Sequence, residues 1–221
     1  MPALRLSAST QDLTRAAEIL AEGGLVAFPT ETVYGLGADA RQDHAVARIY
    51  KAKQRPEFNP LIVHVADLDA AKELVIWSEA AQALADAFWP GPLTLVLPLR
   101  EGAHVSRLVT AGLDSLAVRM PAAPVAQNLL RAFGGPVAAP SANRSGQISP
   151  TRAGHVLEGL GDRIEAVVDG GPCAVGLEST ILGLTGTPPT LLRPGGITEE
   201  ALNEVLNTRI ALRRETDGIT D

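Results

Sequence analysis

The run PVAAPSANRSGQISPT, residues 136–151, changes within a few positions from an apolar segment to a cluster of hydroxyl, amide and guanidinium side chains. The apolar part stops at Pro140, and Ser141, Asn143 and Gly146 follow it directly. This change predicts a strand that ends in a loop, where backbone N–H groups and small polar side chains can surround an anion. The same residue types are ordinary in solvated turns, so this run alone favours a turn.

Three further apolar segments end in polar residues beside a proline or a glycine. They are residues 25–28 before Pro29 and Thr30-Glu31-Thr32, residues 116–118 before Arg119, and residues 190–192 before Arg193. Core packing does not require functional groups at these ends, whereas ligand sites at the strand ends of an open sheet are common. The four segments together therefore predict one ligand site built from several strand ends.

Apolar periodicity predicts helices and short strands in irregular alternation. The helices are expected at residues 10–21, 44–53, 67–75, 79–88, 124–133, 152–157 and 199–206. Asp43, Thr151 and Thr198 are the N-cap candidates of the second, sixth and seventh of them. The strands are expected at residues 25–28, 61–65, 93–99, 116–119, 137–139, 166–169, 179–182 and 190–192, with Pro98 at an edge or a strand end. Irregular alternation without a repeat or a linker predicts an α/β (α+β) protein with a mixed sheet in one domain.

Composition narrows the functional classes. With 46% hydrophobic and 20% charged residues in 221, the chain is an ordinary globular protein. A net charge of −6 and 4% aromatic residues argue against a general nucleic-acid binder, so any important basic groups must be local. One cysteine, Cys173, excludes a disulfide framework, and four scattered histidines argue against a histidine-rich metal site.

The N-terminus has no apolar core of a signal peptide, and no apolar run is long enough to cross a bilayer. We therefore expect a protein of the reducing cytoplasm with no membrane partner.

Several cations could hold a polyphosphate, which needs fixed positive charges together with N–H and hydroxyl donors. They are Lys51, Lys53, Arg55, Arg119 and Arg193. For the two lysines, compensation of a helix dipole is an equally good explanation. Neither a Walker pattern nor G-x-G-x-x-G follows a strand, so a bound nucleotide would use neither of the common phosphate loops.

His64 and Ser179 are ambiguous on the residues alone. His64 lies between Val63 and Val65 in an expected strand, which favours a satisfied core histidine. Ser179 has no G-x-S-x-G elbow around it, so a ligand-binding hydroxyl is favoured over a nucleophile.

A set of motifs occurs in a characteristic order along nearly the whole chain. It comprises AFPTETVYGLG (27–37), KQR (53–55), NPLIVHV (59–65), WPGPLTLVL (89–97), LAVRMP (116–121), PSANRSG (140–146) with ISPT (148–151), GLESTI (176–181) and LLRPGGIT (191–198). The set resembles the YrdC/TsaC-type threonylcarbamoyladenylate synthases over residues 13–206.

The resemblance implies a YrdC-like single domain over residues 1–207, with a twisted mixed sheet flanked by helices and a concave basic cavity. Residues 208–221 would be a polar C-terminal tail, whereas longer members of the family add a linker and a second domain. The implied enzyme is a nucleotidyltransferase that converts L-threonine, bicarbonate and ATP, with Mg²⁺, into threonylcarbamoyl-AMP and pyrophosphate. A downstream threonylcarbamoyl transferase would then modify the tRNA adenosine next to the anticodon.

The resemblance also implies site residues, position by position. The threonine-binding positions would be Thr32, His64, Arg119, Ala139 and Ser179. The ATP-binding positions would be Lys53, Arg55, Asn59, Ser115, Ser141, Asn143, Ser149 and Arg193, with Lys53 and Arg55 positioning the phosphates. Ser115 stands where relatives often have threonine, so a hydroxyl is kept. No protein nucleophile and no metal ligands are implied.

Two other functions are open at this level. Relatives have a basic concave face that suits double-stranded RNA, so a non-catalytic RNA-binding module is the alternative, although the net charge argues against it. Carbamoyl transfer in hydrogenase maturation also uses a YrdC-like domain, but its full-length form adds a zinc finger that one cysteine does not supply. Oligomeric state and weak direct binding of tRNA are left open.

Overall fold

The computed structural model describes residues 2–213. Over that range the helices are α1 (Thr10–Ala21), α2 (Asp43–Lys53), α3 (Leu68–Leu74), α4 (Glu79–Phe88), α5 (Pro124–Phe133), α6 (Ala153–Leu160) and α7 (Glu199–Leu206). The strands are β1 (Leu4–Ser7), β2 (Val26–Pro29), β3 (Tyr34–Asp39), β4 (Ile62–His64), β5 (Leu93–Pro98), β6 (Ser115–Arg119), β7 (Val137–Ala138), β8 (Ala166–Asp169), β9 (Thr180–Gly183), β10 (Thr190–Arg193) and β11 (Ala211–Leu212).

All of these strands join one sheet in the order β1-β8-β2-β3-β7-β4-β6-β5-β9-β10-β11. The pairs β1/β8, β2/β8, β4/β6, β5/β9 and β10/β11 are parallel, and the others are antiparallel. The mixed α/β sheet predicted from the irregular alternation is therefore confirmed. No helix among residues 2–213 combines the length and the apolarity that a membrane crossing requires.

Helices cover both faces of the sheet because successive strand residues point to opposite sides. On β2, for example, Phe28 packs with Leu20 of α1 and Leu129 of α5, whereas Ala27 faces the cluster of Ile49 and Leu84. The sheet is thus the middle layer, and its loops at the strand ends are left to form a site.

The strands expected from the sequence do not include β3, because two glycines and Asp39 interrupt the β pattern. All six of its residues are buried. A Cβ at Gly37 would lie 2.8 Å from the Phe28 ring and 2.9 Å from a Val137 methyl group, so glycine lets β2 and β7 pack across β3. Strands β1 and β11 were also missed, since both are short and lie at the sheet edges.

Two of the predicted helix caps are wrong. Asp43 is the first residue of α2 rather than its cap, and Gln42 precedes it without a capping bond. The cap position of α6 is Arg152, whereas the backbone carbonyl of Thr151 accepts a hydrogen bond from Cys173 N at 3.0 Å. The cap at Thr198 is confirmed, because its hydroxyl accepts from Ala201 N at 3.3 Å.

The position of Pro98 follows from the sheet order. Strand β5 lies between β6 and β9, so it is interior, and Pro98 is its last residue. Within the expected tail, residues 211–212 form β11 beside β10, and residues 214–221 lie outside the described part of the chain.

Candidate functional site

A cleft of about 150 Å³ opens where several strands end. Its lining includes eight of the residues implied by the resemblance, namely Thr32, Arg55, His64, Arg119, Ala139, Ser141, Ser179 and Arg193. These residues come from β2, β4, β6, β7, β9 and β10 or from the segments next to them. The structure therefore brings together the polar strand ends from which the sequence predicts one ligand site.

The register of the sheet explains why two of these side chains are neighbours. Strands β4 and β6 are parallel and end together, with His64 paired to Arg119. Strand β7 runs antiparallel to β4, and the chain after it turns back through Pro140 to Ser141, which bridges Gly35. The loop that begins at Pro140 is thus attached to the edge where His64 and Arg119 end.

Arg119 is 4% exposed, and its guanidinium is held from three sides. Nε donates to Gly91 O at 3.2 Å, Nη1 to Thr32 Oγ1 at 3.0 Å, and Nη2 to Glu31 Oε1 at 2.5 Å. Burial lowers the pKa of Arg119 and Glu31 opposes the shift, yet an arginine stays charged in either case. Each terminal nitrogen carries two N–H groups and makes one hydrogen bond among residues 2–213, so one N–H on each is left for a carboxylate.

Glu31 is a residue of the site that the sequence reasoning missed. Its Oε1 binds Arg119, while Oε2 accepts from Ala122 N at 3.0 Å and Ala123 N at 3.2 Å, at the N-terminus of α5. These N–H groups and the helix dipole favour a carboxylate. Glu31 therefore fixes the orientation of the guanidinium, and the available signal was a lone acid among the threonines of PTET.

His64 is 3% exposed and lines the cleft. Burial, followed by the neighbouring Arg119, lowers its pKa to about 3, so the imidazole is neutral at physiological pH. Its Nδ1 is shielded from solvent and has no close hydrogen-bond partner among residues 2–213. The side chain lines the cleft, and this position favours a ligand-binding role over the core explanation.

The Ser179 hydroxyl is 1% exposed and takes part in a fixed network. Its Oγ lies 2.8 Å from Thr94 Oγ1 and accepts from Arg193 Nη2 at 3.0 Å. These partners include no general base, which a serine nucleophile requires. Ser179 is therefore arranged for hydrogen bonding.

Lys53 does not face the cleft, contrary to the phosphate-contacting role expected for it. It is 1% exposed, and its ammonium donates to Ser141 O and to Asn143 O, the second at 2.6 Å. The Ser145 N–H in turn donates to Lys53 O at 2.8 Å. The side chain points inward because these loop carbonyls need donors, so Lys53 supports the loop of residues 140–146.

The pKa of Lys53 has a consequence for stability. Burial, with a smaller contribution from Arg55, lowers it from 10.5 to about 7. Between these values the unfolded chain holds the proton and the folded chain releases it, so stability rises with pH in this window. The full cost of burying the charge is present below pH 7.

We expect the free energy of unfolding of the wild type, relative to Lys53→Met, to increase from pH 7 to pH 10 by at most about 1.4 kcal/mol per pH unit. Other titrating groups cancel in the difference, because both proteins contain them. Urea unfolding at several pH values measures it. A difference that is flat or that falls with pH would show that Lys53 keeps its proton in the folded state.

The remaining expected ATP residues lie around the loop or away from it. Asn59 helps to position Arg55 through its backbone. Its carbonyl accepts hydrogen bonds from Arg55 Nε at 3.4 Å and from Tyr50 Oη at 3.1 Å. Asn143 Nδ2 donates to Arg144 O and Gln147 O, while its Oδ1 is shielded from solvent and has no partner among residues 2–213. Asn143 is not among the residues that line the cleft, so its amide supports the loop.

Ser115 is not brought to the cleft. It begins β6, and Arg119 ends the same strand, about 13 Å away at the usual rise per residue. Ser115 lies at the start of β6, whereas the other expected residues of this sheet edge lie where strands end.

Glu178 is a second acid that the sequence reasoning did not use, and it lies inside the cleft. Its carboxylate binds Arg193 Nη1 and accepts from Ser149 Oγ at 2.7 Å. Burial opposes ionisation, but Arg193, Ser149, Ser141 and Lys53 outweigh it and lower the pKa of Glu178. Two donors expected for ATP are therefore engaged by a protein carboxylate.

A family model and the sequences of known proteins indicate the same family for this chain. The family model described as Telomere recombination (Sua5/YciO/YrdC) matches residues 18–195. The threonylcarbamoyl-AMP synthase of Bacillus subtilis is 52% identical over 202 residues, which is 91% of this chain and 58% of that protein. The enzyme of the same name from Pyrococcus abyssi is 53% identical over 195 residues, 86% of this chain and 56% of that protein.

Among solved structures, the crystal structure of P. abyssi Sua5 complexed with L-threonine superposes with a TM-score of 0.91 at 47% identity. The match covers 96% of this chain and 63% of that one. The chain thus spans somewhat more than half the length of the relatives it matches.

Proposed function

Because the chain belongs to the Sua5/YciO/YrdC family, we propose that it forms threonylcarbamoyl-AMP and pyrophosphate from L-threonine, bicarbonate and ATP. The observation that carries this proposal is a single cleft with two halves. One half presents the carboxylate fork of Arg119 beside neutral His64, and the other presents Arg55, Arg193 and Ser141. The name threonylcarbamoyl-AMP synthase and the threonine complex of one relative support threonine and an adenine nucleotide as substrates.

In the amino-acid half, the threonine carboxylate would bind end-on to the two unengaged N–H groups of Arg119. His64 would offer a ring nitrogen to the amine or the hydroxyl of the substrate, because its side chain lines the cleft. Thr32 and Ser179 line the same half with hydroxyl groups, and Ala139 lines it next to the loop.

In the nucleotide half, Arg55 and Arg193 would receive the phosphates together with the Ser141 hydroxyl. Arg55 is oriented by its own chain, because Nη2 donates to Pro60 O at 3.2 Å. Lys53 would not contact the phosphates itself. Its ammonium donates to a carbonyl of the loop that carries Ser141 and so holds that loop in place. The loop 140–146 would then hold nucleotide rather than perform chemistry.

The reaction requires one addition and one displacement, and no protein nucleophile. The neutral amine of threonine attacks carbon dioxide derived from bicarbonate, which gives a carbamate and releases a proton. A carbamate oxygen then attacks the α-phosphorus of ATP, and pyrophosphate leaves with the electrons of the broken P–O bond. Holding the reactants side by side and neutralising their charge would supply most of the rate enhancement.

Magnesium would enter with ATP. Among residues 2–213 there is no group of three or more acidic, histidine or cysteine side chains that could hold a metal ion. Proteins usually bind Mg²⁺ through one or two carboxylates together with substrate phosphates. Its chemistry there would be to neutralise the charge of the departing pyrophosphate.

We place the product in the modification of a tRNA adenosine next to the anticodon, through a separate threonylcarbamoyl transferase in the cytoplasm. An activated acyl-adenylate needs such an acceptor enzyme. The RNA-binding alternative is disfavoured by the charge pattern, because Glu31 and Glu178 neutralise two of the three cleft arginines. A steeply salt-dependent RNA affinity that survives both Arg55→Ala and Arg119→Ala would favour that alternative instead.

The decisive assay mixes the protein with [¹⁴C]bicarbonate, threonine, ATP and Mg²⁺ and follows a labelled AMP adduct and pyrophosphate. We expect product only when all components are present, because the carbamate needs threonine and bicarbonate and its activation needs ATP. Serine in place of threonine tests the contribution of the methyl group. Absence of product with the complete mixture would refute the proposed activity.

A further inference from the structure

Glu178 is the only acidic side chain lining the cleft among residues 2–213. It lies in the nucleotide half, where its Oε2 binds Arg193 and its Oε1 binds the Ser149 hydroxyl. The side chain is 34% exposed, so solvent and ligands can reach it. In the free protein the carboxylate thus occupies donors that a nucleotide phosphate would need.

Binding of ATP without a metal ion would bring its phosphates close to the negative Glu178 carboxylate. To engage Arg193 its phosphates must replace Glu178, and the displaced carboxylate would remain close to several negative oxygens. Like charges a few ångströms apart in a partly buried cleft repel by an amount that solvent reduces but does not remove. A cation between the carboxylate and the phosphates reverses the sign of this interaction.

We propose that Glu178 is the magnesium ligand of the cleft and the residue that makes it selective for metal-bound over free nucleotide. The proposal rests on the function proposed above. On binding of the Mg²⁺ complex of ATP, the carboxylate turns from Arg193 and Ser149 to the metal ion, and both donors pass to phosphate oxygens. The charges are then paired throughout, with Arg193 on phosphate and Glu178 on Mg²⁺.

The surrounding structure allows this exchange without movement of the main chain. The backbone of residues 178–180 is packed against Gly195, where a Cβ would lie 2.6 Å from Glu178 O and 2.4 Å from Thr180 N. Arg193 is attached to the same segment through Nε and Nη2, which both donate to Ser179 O. The backbone and the arginine are thus held in place, so the exchange would take place by rotation of the Glu178 side chain.

Glu31, the other acid near the site, is unsuited to this role. Its two oxygens accept three hydrogen bonds from Arg119 and from the N-terminus of α5, and its side chain is only 14% exposed. Glu31→Gln therefore provides a matched control, with the same chemical change beside the other paired arginine.

The experiment measures binding and not turnover. Isothermal titration of the full chain with ATP, without threonine and bicarbonate, is done in Mg²⁺ and in EDTA for the wild type, Glu178→Gln, Glu178→Asp and Glu31→Gln. For the wild type we expect affinity to be at least about tenfold higher with Mg²⁺, the equivalent of about 1.4 kcal/mol. In Glu178→Gln we expect the ratio of the ATP affinity in Mg²⁺ to that in EDTA to fall to the value of a site without a protein ligand to the metal. The main cause should be tighter binding in EDTA, because the carboxylate that repels the free phosphates is gone.

Glu178→Asp keeps a carboxylate on a shorter stem and should retain part of the ratio, whereas Glu31→Gln should keep all of it. Electron paramagnetic resonance of Mn²⁺–ATP adds a direct readout, since only a carboxylate variant should perturb the bound metal. An unchanged magnesium ratio or Mn²⁺ spectrum in Glu178→Gln overturns the proposal. If that occurs while the wild type makes threonylcarbamoyl-AMP, the proposed function stands and Glu178 alone is misassigned.

Discussion

Arg119→Lys is expected to lower the affinity for L-threonine by about 100-fold or more, because two charge-assisted hydrogen bonds worth about 1.5–3 kcal/mol each are lost or distorted. Lysine keeps a positive charge beside Glu31 but has no planar fork. The substitution is preferable to Arg119→Ala, which leaves Glu31 without its cation inside the protein and should cost about 3–5 kcal/mol of stability. Isothermal titration with threonine measures the loss.

Arg41→Lys is the matched control for this prediction. Arg41 is also an arginine fixed by a buried acid, with Nε 2.8 Å from Asp39 Oδ1, but it lies outside the cleft. We expect Arg41→Lys to bind threonine like the wild type, and Arg119→Lys to keep its affinity for ATP. Wild-type threonine affinity in a folded Arg119→Lys protein would refute the carboxylate fork.

Gly195→Ala is expected to abolish product formation and to lower the free energy of unfolding by about 3 kcal/mol, the upper end of the usual cost of overpacking. A Cβ at this position would lie 2.4 Å from Thr180 N, 2.6 Å from Glu178 O and 2.7 Å from Ser179 C. These neighbours are backbone atoms and cannot rotate away. The segment that carries Glu178 and Ser179 must therefore shift out of the cleft.

The adjacent glycine is the control for the same substitution. A Cβ at Gly196 would lie 3.7 Å from the nearest heavy atom, a carbon of Pro92, which is an ordinary contact. Gly196→Ala should thus retain stability within about 1 kcal/mol and retain activity. Chemical unfolding and the labelled-bicarbonate assay distinguish the two variants, and equal behaviour would show that the close approach at Gly195 is relieved without cost.

Helices with a clear apolar face could be predicted from the sequence, and so could most strands. α1 begins and ends where the pattern indicated, at Thr10 and Ala21. β3 could not be predicted, because its glycines are explained by side chains of β2 and β7 that pack over it. A local pattern contains no information about such neighbours.

For the site, too, part could be predicted from the sequence and part could not. Polar residues at the ends of apolar segments indicated where ligands could bind, and eight of the expected residues line one cleft. The direction of each side chain was a separate matter. Lys53 had the charge and the position expected of a phosphate ligand, yet its ammonium binds two backbone carbonyls of the loop.

The sequence by itself determined the mixed α/β class, the family resemblance and the strand ends that carry polar groups, because these depend on local pattern and on ordered motifs. Only the tertiary structure decided that Arg119 is paired with Glu31, 88 residues away, and that Arg193 is paired with Glu178. The physical reason is that an ion pair depends on which strand ends the sheet order places together. That order is set by the packing of the whole core.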